Sequence, residues 1–382
     1  MEKSNVEKAP VILQVLPELE MGGVEIGTVE IAEALTHHGI KNFVASKGGR
    51  LTHDLEKLSV PHFTLNLKTK NPFKVWRNAK KLEDIIKENG INIVHARSRA
   101  PAWSAYWATK KAGAHFVTTY HGTYGLGPWG IKKLYNRVMT YGERVIAIST
   151  HIKKHLIANY IIDQDKIRLV HRCVNIMRFN PDVITQARKI NMIEEYNIPE
   201  DKTVILLGGR ITHWKGQHVL LKALAKMKNQ NFYCIIAGDD QGRKDYLDYL
   251  KHLADKLGLS SRVCFHGKVL DMPALMSVAS VIVSAAIEPE AFGRISVEGQ
   301  AMGKVVIASD IGGSLDTIQD GVNGKLFKSN NPIALAQALD WALNLSDKDR
   351  QKIVDAGFKN IKENFTKEIM CDKTIAVYKE LV

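Results

Sequence analysis

The sequence predicts an α/β protein made of two doubly wound parallel sheets, each forming its own domain. Three observations lead there. Short apolar runs alternate with helix-period segments along the whole chain, and these runs fall into two series, one ending before residue 180 and one starting near 200. The 172–200 segment between them carries Asn180-Pro181 and Pro199 and no strand pattern. Buried strands alternating with helices pair in parallel through right-handed crossovers. A length of 382 residues suits two domains at roughly 100–200 residues each. The domains are drawn at 1–180 and 181–360.

The first series opens with VILQVL (11–16), a buried strand, followed by a Gly-Gly turn. Next comes EIGTVEIAEALTHHG, where Ile26, Val29, Ile31, Ala32 and Leu35 make an apolar stripe and Gly39 stops the helix. INIVHA (91–96), HFVTTYHG (115–122) and RVIAIS (144–149) repeat the strand theme. The second series runs through TVILLGG (203–209), FYCIIAGDD (232–240), RVCFHG (262–267), SVIVSA (280–285) and KVVIAS (304–309). In open α/β sheets ligands bind outside the carboxyl ends of the strands. With two sheets, the expected site is a cleft between domains.

Composition narrows the function classes. Hydrophobic residues are 45% and charged residues 24%, as in a globular protein. The four cysteines, Cys173, Cys234, Cys264 and Cys371, form no CxxC pair and no Cys/His cluster. That pattern suggests neither a disulfide framework nor a zinc site and favours a reducing, cytoplasmic compartment. The polar start MEKSNVEKAP and the lack of an apolar run of ~18 residues predict no signal peptide and no membrane span.

Charge is uneven. The net charge is +13, and residues 1–180 hold 27 Lys+Arg against 15 Asp+Glu. Within that half, KTKNPFKVWRNAKK (68–81) has six basic residues, no acidic ones, and Phe73 and Trp76 interleaved. Three readings stand open: a solvated helix face, an anionic membrane surface or acceptor, and nucleic acid. No nucleic-acid motif accompanies the segment, so no nucleic-acid partner is expected.

Three stretches can carry chemistry. Met21-Gly22-Gly23-Val24-Glu25 turns the first strand into the first helix, where close backbone approach and free N–H groups favour an anion. It lacks the GxGxxG fingerprint, which argues against a nicotinamide enzyme. In LLGGRITHWKGQHVLLKAL (206–224), Arg210 and Lys215 lie on one loop at a strand's carboxyl end. Such a pair can flank a diphosphate, and no Walker pattern GxxxxGK[ST] is present.

The third stretch is EPEAFGRISVEGQAMG (288–303), where Glu290 and Glu298 bracket a helix start at Gly293. Orphan N–H groups there suit a phosphate, and each acid can accept hydroxyl hydrogen bonds from a different part of one ligand. The rival is a glycosidase pair, with carboxyls ~5–9.5 Å apart. Eight helical residues span ~12 Å, and a loop start leaves the separation open. Arg210, Lys215 and the two glycine turns argue against hydrolysis, because a glycosidase has no use for a phosphate setting.

Together these residues resemble the retaining glycosyltransferases of family four, whose fold, GT-B, sets two Rossmann-like domains face to face across a cleft. The match rests on Glu290 and Glu298 in the frame E-x-F-G-x-x-x-x-E, then Gln300-Ala301-Met302-Gly303. Gly22-Gly23-x-Glu25, the loop from Gly209-Arg210 to Lys215-Gly216, and SDIGG ending at Gly313 also fit. The resemblance implies that Arg210 and Lys215 hold the donor diphosphate and stabilise the leaving nucleoside diphosphate. Glu298 binds ribose hydroxyls, and Glu290 binds hydroxyls of the transferred sugar. Amides near Phe292, Gly293 and Arg294, with Gly22 and Gly23, meet phosphate oxygens. Lys268 and Val269 lie near the base. His121, after the TTY strand end, matches the histidine that faces the sugar.

The resemblance further implies retention by a front-face mechanism, no metal ion, and no cofactor beyond the nucleoside-diphosphate sugar that serves as donor substrate. The C-terminal run, 361–382, is expected to cross back onto the first domain. Two positions depart from the family pattern: Asp316 stands where a Glu is usual after Gly312-Gly313, and Asn175 follows Val174 where an Asp is usual.

The stretch HARSRAPAWSAYW (95–107) is similar to bacterial lipopolysaccharide-core sugar transferases. By that likeness Arg97 and Arg99, with Glu25, face an anionic glycan or lipid-linked acceptor, a hexose such as mannose is transferred, and the protein touches the anionic inner membrane face. Two alternatives are a nucleotide-sugar epimerase, which turns over donor without acceptor, and a non-catalytic module binding an anionic membrane or polymer.

Overall fold

In the computed structural model, residues 9–125, 127 and 130–382 are described; the polar start at 1–8 lies outside them. Two compact units emerge, one made of Met1–His171 with Glu368–Val382 and the other of Arg172–Lys367. The boundaries expected at 180 and 360 fall instead after His171 and Lys367.

The first unit holds a seven-stranded sheet: β1 Ile12–Val15, β2 Asn42–Ser46, β3 His62–Thr64, β4 Ile93–Ala96, β5 His115–Tyr120, β6 Arg144–Ala147 and β7 Ile167–Leu169. Their spatial order is β3-β2-β1-β4-β5-β6-β7, and every pairing is parallel. The second unit has six strands: β8 Thr203–Gly208, β9 Phe232–Ala237, β10 Val263–His266, β11 Val281–Ser284, β12 Val305–Ser309 and β13 Lys325–Phe327. Their order is β10-β9-β8-β11-β12-β13, again all parallel.

These orders follow from the sequence pattern. β1, β4, β8 and β11 are mostly apolar, and every residue in them except Thr203 is buried, as expected of strands covered by helices on both sides. Ile205, Leu207, Val281, Val283 and Ile307 of the second sheet pack with Leu220, Leu224 and Leu339 of its helices.

In each sheet the direction of winding reverses once, between β1 and β4 and between β8 and β11. Loops leaving the carboxyl ends at a reversal diverge to opposite faces and open a crevice. The glycine turn at 22–23 and the Arg97–Arg99 loop leave one such point. The Arg210–Lys215 loop and the Glu290 loop leave the other.

The C-terminal helices part company. Helix Asp347–Asn364 stays with the second unit, where Asn360 donates to the Gln300 side chain at 3.2 Å and to the Thr317 carbonyl at 3.0 Å. Helix Lys367–Lys379 belongs to the first unit, apart from its first residue. Its Tyr378 hydroxyl meets His95 Nδ1 at 2.6 Å, and Glu380 pairs with Arg144 and Arg168. The return to the first unit therefore begins at Glu368, later than the expected 361, because Asn360 and its neighbours are bound to helix Arg294–Ala301.

Candidate functional site

The second unit gathers most of the predicted side chains at one place. From β8 the chain passes Arg210, makes a tight turn over His213–Lys215 and enters helix Gln217–Leu224. Gln217 donates to the Arg210 carbonyl at 2.9 Å, which fixes the loop. Trp214 lies beneath both cations: Lys215 Nζ is 4.8 Å from the ring centroid and the Arg210 guanidinium 5.6 Å. Arg210 is exposed.

From β11 the chain runs to Glu290, whose Oε2 sits 2.8 Å from Lys215 Nζ, with both side chains about as buried, at 12% and 15% exposure. Ser284, the last residue of β11, donates to the other oxygen, Oε1, at 3.4 Å. The strand reversal brings these residues together across 75 positions of sequence.

The Glu290 loop is held from behind. Gly313 N donates to the Glu290 carbonyl at 2.8 Å. Gly312 has φ +64°, and a Cβ there would lie 2.6 Å from the Glu290 carbonyl oxygen; at Gly313 it would lie 2.4 Å from Phe292 Cα. No side chain fits between the two loops, which explains the SDIGG run physically. Asp316 lies half-buried on the short helix Ser314–Thr317. The Phe292 ring is buried against Phe365, with centroids 5.7 Å apart, so only its backbone is left to face a ligand.

Helix Arg294–Ala301 starts at Gly293, φ +77°, a left-handed conformation that glycine adopts without strain. Glu298 is buried, and burial raises its pKa above the usual carboxylate range; the Arg294, Arg178 and Lys215 charges oppose that rise. Arg294 reaches it directly, Nη2 to Oε1 at 2.8 Å. Each acid of the motif therefore has a cation of its own. Ser296 Oγ, wholly buried in the first turn of this helix, makes no hydrogen bond among the described residues.

Arg178 and the Arg188–Asp271 anchor carry no signal in the sequence. Arg178 lies on a turn capped by Asn175, whose Oδ1 accepts from Met177 N at 3.0 Å and Arg178 N at 3.2 Å. Beyond β10, Lys268 is exposed and Val269 half-buried, and the next residue, Leu270, is 85% exposed. Arg188 anchors that loop by gripping both oxygens of Asp271 at 2.8 Å.

In the first unit Gly22 precedes helix Gly23–His37, and the Glu25 carboxylate folds back over it: a Cβ on Gly22 would lie 2.1 Å from Glu25 Oε2. His121 follows β5 and its Nε2 is shielded from solvent. Arg99 stacks on Tyr124, 4.0 Å from the ring centroid, and donates to Asn136 Oδ1 at 3.0 Å.

Arg97 parts from Arg99. It is 2% exposed and donates to Gln14 Oε1 at 3.3 Å inside the unit. The expectation that both arginines face outward together is corrected for Arg97, which its position directly after β4 turns into the sheet's interior. Among the described residues no three His, Cys, Asp or Glu side chains gather into a cation site, and no helix is long and apolar enough to cross a membrane.

This geometry agrees with what the chain is similar to. Residues 188–360 match the family model described as glycosyl transferases group 1, and residues 21–178 match the one described as glycosyltransferase family 4. A crystal structure of a glycosyltransferase from Rickettsia africae ESF-5 is 41% identical, with a TM-score of 0.90 over 98% of this chain and 99% of that one. Anabaena HepE in complex with UDP-glucose shares the fold at a TM-score of 0.79 and 20% identity, covering 96% of this chain and 99% of that one. The D-inositol 3-phosphate glycosyltransferase of Xylanimonas cellulosilytica is 29% identical over 231 residues, 60% of this chain and 55% of that protein. With both halves matched and a solved relative of this identity spanning its whole length, the chain belongs to the family 4 glycosyltransferases of GT-B fold.

Proposed function

We propose that the chain is a retaining hexosyltransferase that moves a hexose from a nucleoside-diphosphate sugar to a hydroxyl of an anionic glycan or glycolipid. The observation that carries this reading is the Glu290–Lys215 pair, with Glu290 Oε2 and Lys215 Nζ 2.8 Å apart. A hydroxyl acceptor beside a phosphate-binding cation is what the junction of a sugar and its diphosphate requires.

The other parts follow from the same arrangement. The buried Ser296 hydroxyl and the amides at the start of helix Arg294–Ala301 offer donors to phosphate oxygens. Glu298 accepts from the ribose hydroxyls, and Lys268 and Val269 border the base. Arg210 and Lys215 neutralise the charge that grows on the departing diphosphate, a contribution made in the transition state. The acceptor oxygen bonds to the anomeric carbon on the face the diphosphate leaves. The breaking C–O bond gives its electron pair to the nucleoside diphosphate, and the acceptor proton passes to a phosphate oxygen. No metal ion is assigned, because the two cations and the helix terminus supply the positive charge.

Arg99, with His121 and Glu25, supplies the first unit's candidates for acceptor and sugar contacts. A phosphorylated acceptor suits an arginine. The 29% identical relative is named for an inositol phosphate, which supports phosphate as the recognised group and sets a cyclitol phosphate beside a lipopolysaccharide core as acceptor class. Mannose and glucose are the candidate hexoses, the second suggested by UDP-glucose in HepE.

A thermal-shift screen with UDP, GDP, ADP, CMP and their sugar conjugates tests the donor site, because a ligand that binds only the folded state raises stability with concentration. A shift with GDP and GDP-mannose selects mannose, and a UDP-only shift selects a glucose-type sugar. No shift with any of them overturns the reading. Donor turnover without acceptor would replace transfer by epimerisation.

A further inference from the structure

Helix Pro72–Glu88 presents two faces of opposite character. Val75, Ala79, Leu82 and Ile86 are buried and pack it onto the first unit, next to helix Arg99–Ala112. The opposite stripe begins Phe73, Trp76, Arg77, Lys80, at the i, i+3, i+4, i+7 spacing that lines up one face of a helix. Phe73 is 69% and Trp76 52% exposed, and their rings lie 6.2 Å apart, centroid to centroid, as one apolar knob.

Around the knob Lys70, Lys74, Arg77, Lys80 and Lys81 bear charges with no ion pair among the described residues. Lys68 is not counted, since Glu18 holds it at 2.9 Å. Acidic residues enter the helix only at Glu83, Asp84 and Glu88, and Lys87 pairs with Glu83 at 2.7 Å. The cations thus occupy the helix's first half and the residues before it, and the first turn, where the macrodipole favours acids, holds Lys74 and no acidic residue. Asn71 caps this end through its Oδ1, and Pro72 follows it, so the knob sits on a rigid start rather than on a loop.

A helix that only had to be soluble gains nothing from two large exposed rings or from cations placed against its own dipole. A surface of anionic lipid gives both a use. Aromatic rings favour the headgroup layer, lysines and arginines favour its phosphates, and a convex knob needs no shape-matched partner to enter a fluid interface.

We propose that Phe73 and Trp76, ringed by Lys70, Lys74, Arg77, Lys80 and Lys81, dock the first unit onto an anionic phospholipid bilayer. The inference is independent of the donor site, which lies in the other unit.

The test is co-sedimentation of the full chain with vesicles of phosphatidylcholine alone and of phosphatidylcholine mixed with phosphatidylglycerol, at low and physiological salt. The chain binds the mixed vesicles at least tenfold more tightly, and binding weakens as salt rises. The Phe73→Ser/Trp76→Ser variant and the Lys74→Glu/Lys80→Glu variant each lose at least tenfold, while their melting temperatures and nucleotide-induced shifts stay at the wild-type values. No preference for mixed vesicles, or unchanged binding after removal of the rings, overturns the proposal. Tighter, ring-dependent binding to single-stranded RNA than to vesicles also overturns it, and assigns the knob to nucleic acid.

Discussion

Lys215 Nζ and Glu290 Oε2 stand 2.8 Å apart, both largely withdrawn from water, at the reversal point of the second sheet. Removing one member of a buried pair strands the other's charge, at a cost of about 3–5 kcal/mol. Lys215→Gln is therefore expected to lower both stability and transfer. Adding Glu290→Gln removes the stranded charge. In the double variant the urea midpoint recovers, whereas kcat/KM stays down by about 10²–10³-fold. Parallel recovery of both would assign the pair to structure alone.

Glu298 predicts a trade of stability for function. Burial raises its pKa in the fold, so the folded chain binds the proton more tightly than the unfolded one. Stability linked to this group is then present at mildly acidic pH and lost as pH rises through the raised value. Glu298→Gln should melt higher than wild type at pH 7 to 8, by about 2–4 °C for each kcal/mol of charge burial relieved, and the gap should close toward pH 4. Donor binding should fall at the same time. An unchanged or lower melting temperature at pH 8 would contradict the assignment.

Arg294 opposes that rise by direct contact with Glu298. In Arg294→Gln the carboxyl protonates at higher pH, so donor affinity should fall off at higher pH than in wild type, while at pH 8 to 9 the two enzymes approach each other. Donor Kd measured across pH checks this. Parallel curves would show that Arg294 does not tune the acid.

Gly312 lets its loop pass directly behind Glu290. Ala at this position combines φ +64° with a Cβ 2.6 Å from the Glu290 backbone. Gly312→Ala should fold, lose about 1–3 kcal/mol, and drop at least tenfold in transfer because Glu290 moves. A variant with wild-type kcat/KM would mean that the loop relaxes without shifting the acid.

His95 sets an acid limit on the first unit. It is fully buried between Tyr378 Oη at 2.6 Å and Thr119 Oγ1 at 2.7 Å, and burial, with Arg97 nearby, holds its pKa well below 6.5. The unfolded chain takes up this proton first, so stability is full above pH ~6.5 and declines as pH falls. His95→Gln should flatten the decline between pH 6.5 and 5. Tyr378→Phe, which removes the hydroxyl partner, should cost about 1–3 kcal/mol by urea unfolding. A pH profile unchanged in His95→Gln would remove the histidine from the account.

The sequence was most informative where chemistry needs a fixed local spacing. Glu290, Glu298, Arg210 and Lys215 could be named because each sits at a set distance from a strand end and a helix start. The long buried strands were visible as apolar runs. The three-residue strands β3, β7 and β13 were not, since His62–Thr64, Ile167–Leu169 and Lys325–Phe327 are too short to show a period. β2, NFVAS, was also missed, although its five residues are all buried.

Residues whose role depends on distant chain were illegible. Arg97 reads as a solvent-facing cation after a strand, but Gln14, from the neighbouring β1, takes it inward. Arg178 carries no motif, and its influence on Glu298 arises only from folding 120 residues together.

The return of residues 368–382 to the first unit has a consequence for the order of assembly. His95 lies in β4, but the hydroxyl that completes its hydrogen bonds comes from Tyr378, 283 positions later. Arg144 and Arg168 likewise await Glu380. During synthesis the second unit, whose residues run from 172 to 367, can finish first, while the first-made half waits with His95 Nδ1 lacking its Tyr378 partner. A ribosome stalled before residue 368 would then display a finished second unit and an unfinished first one, the reverse of chain order.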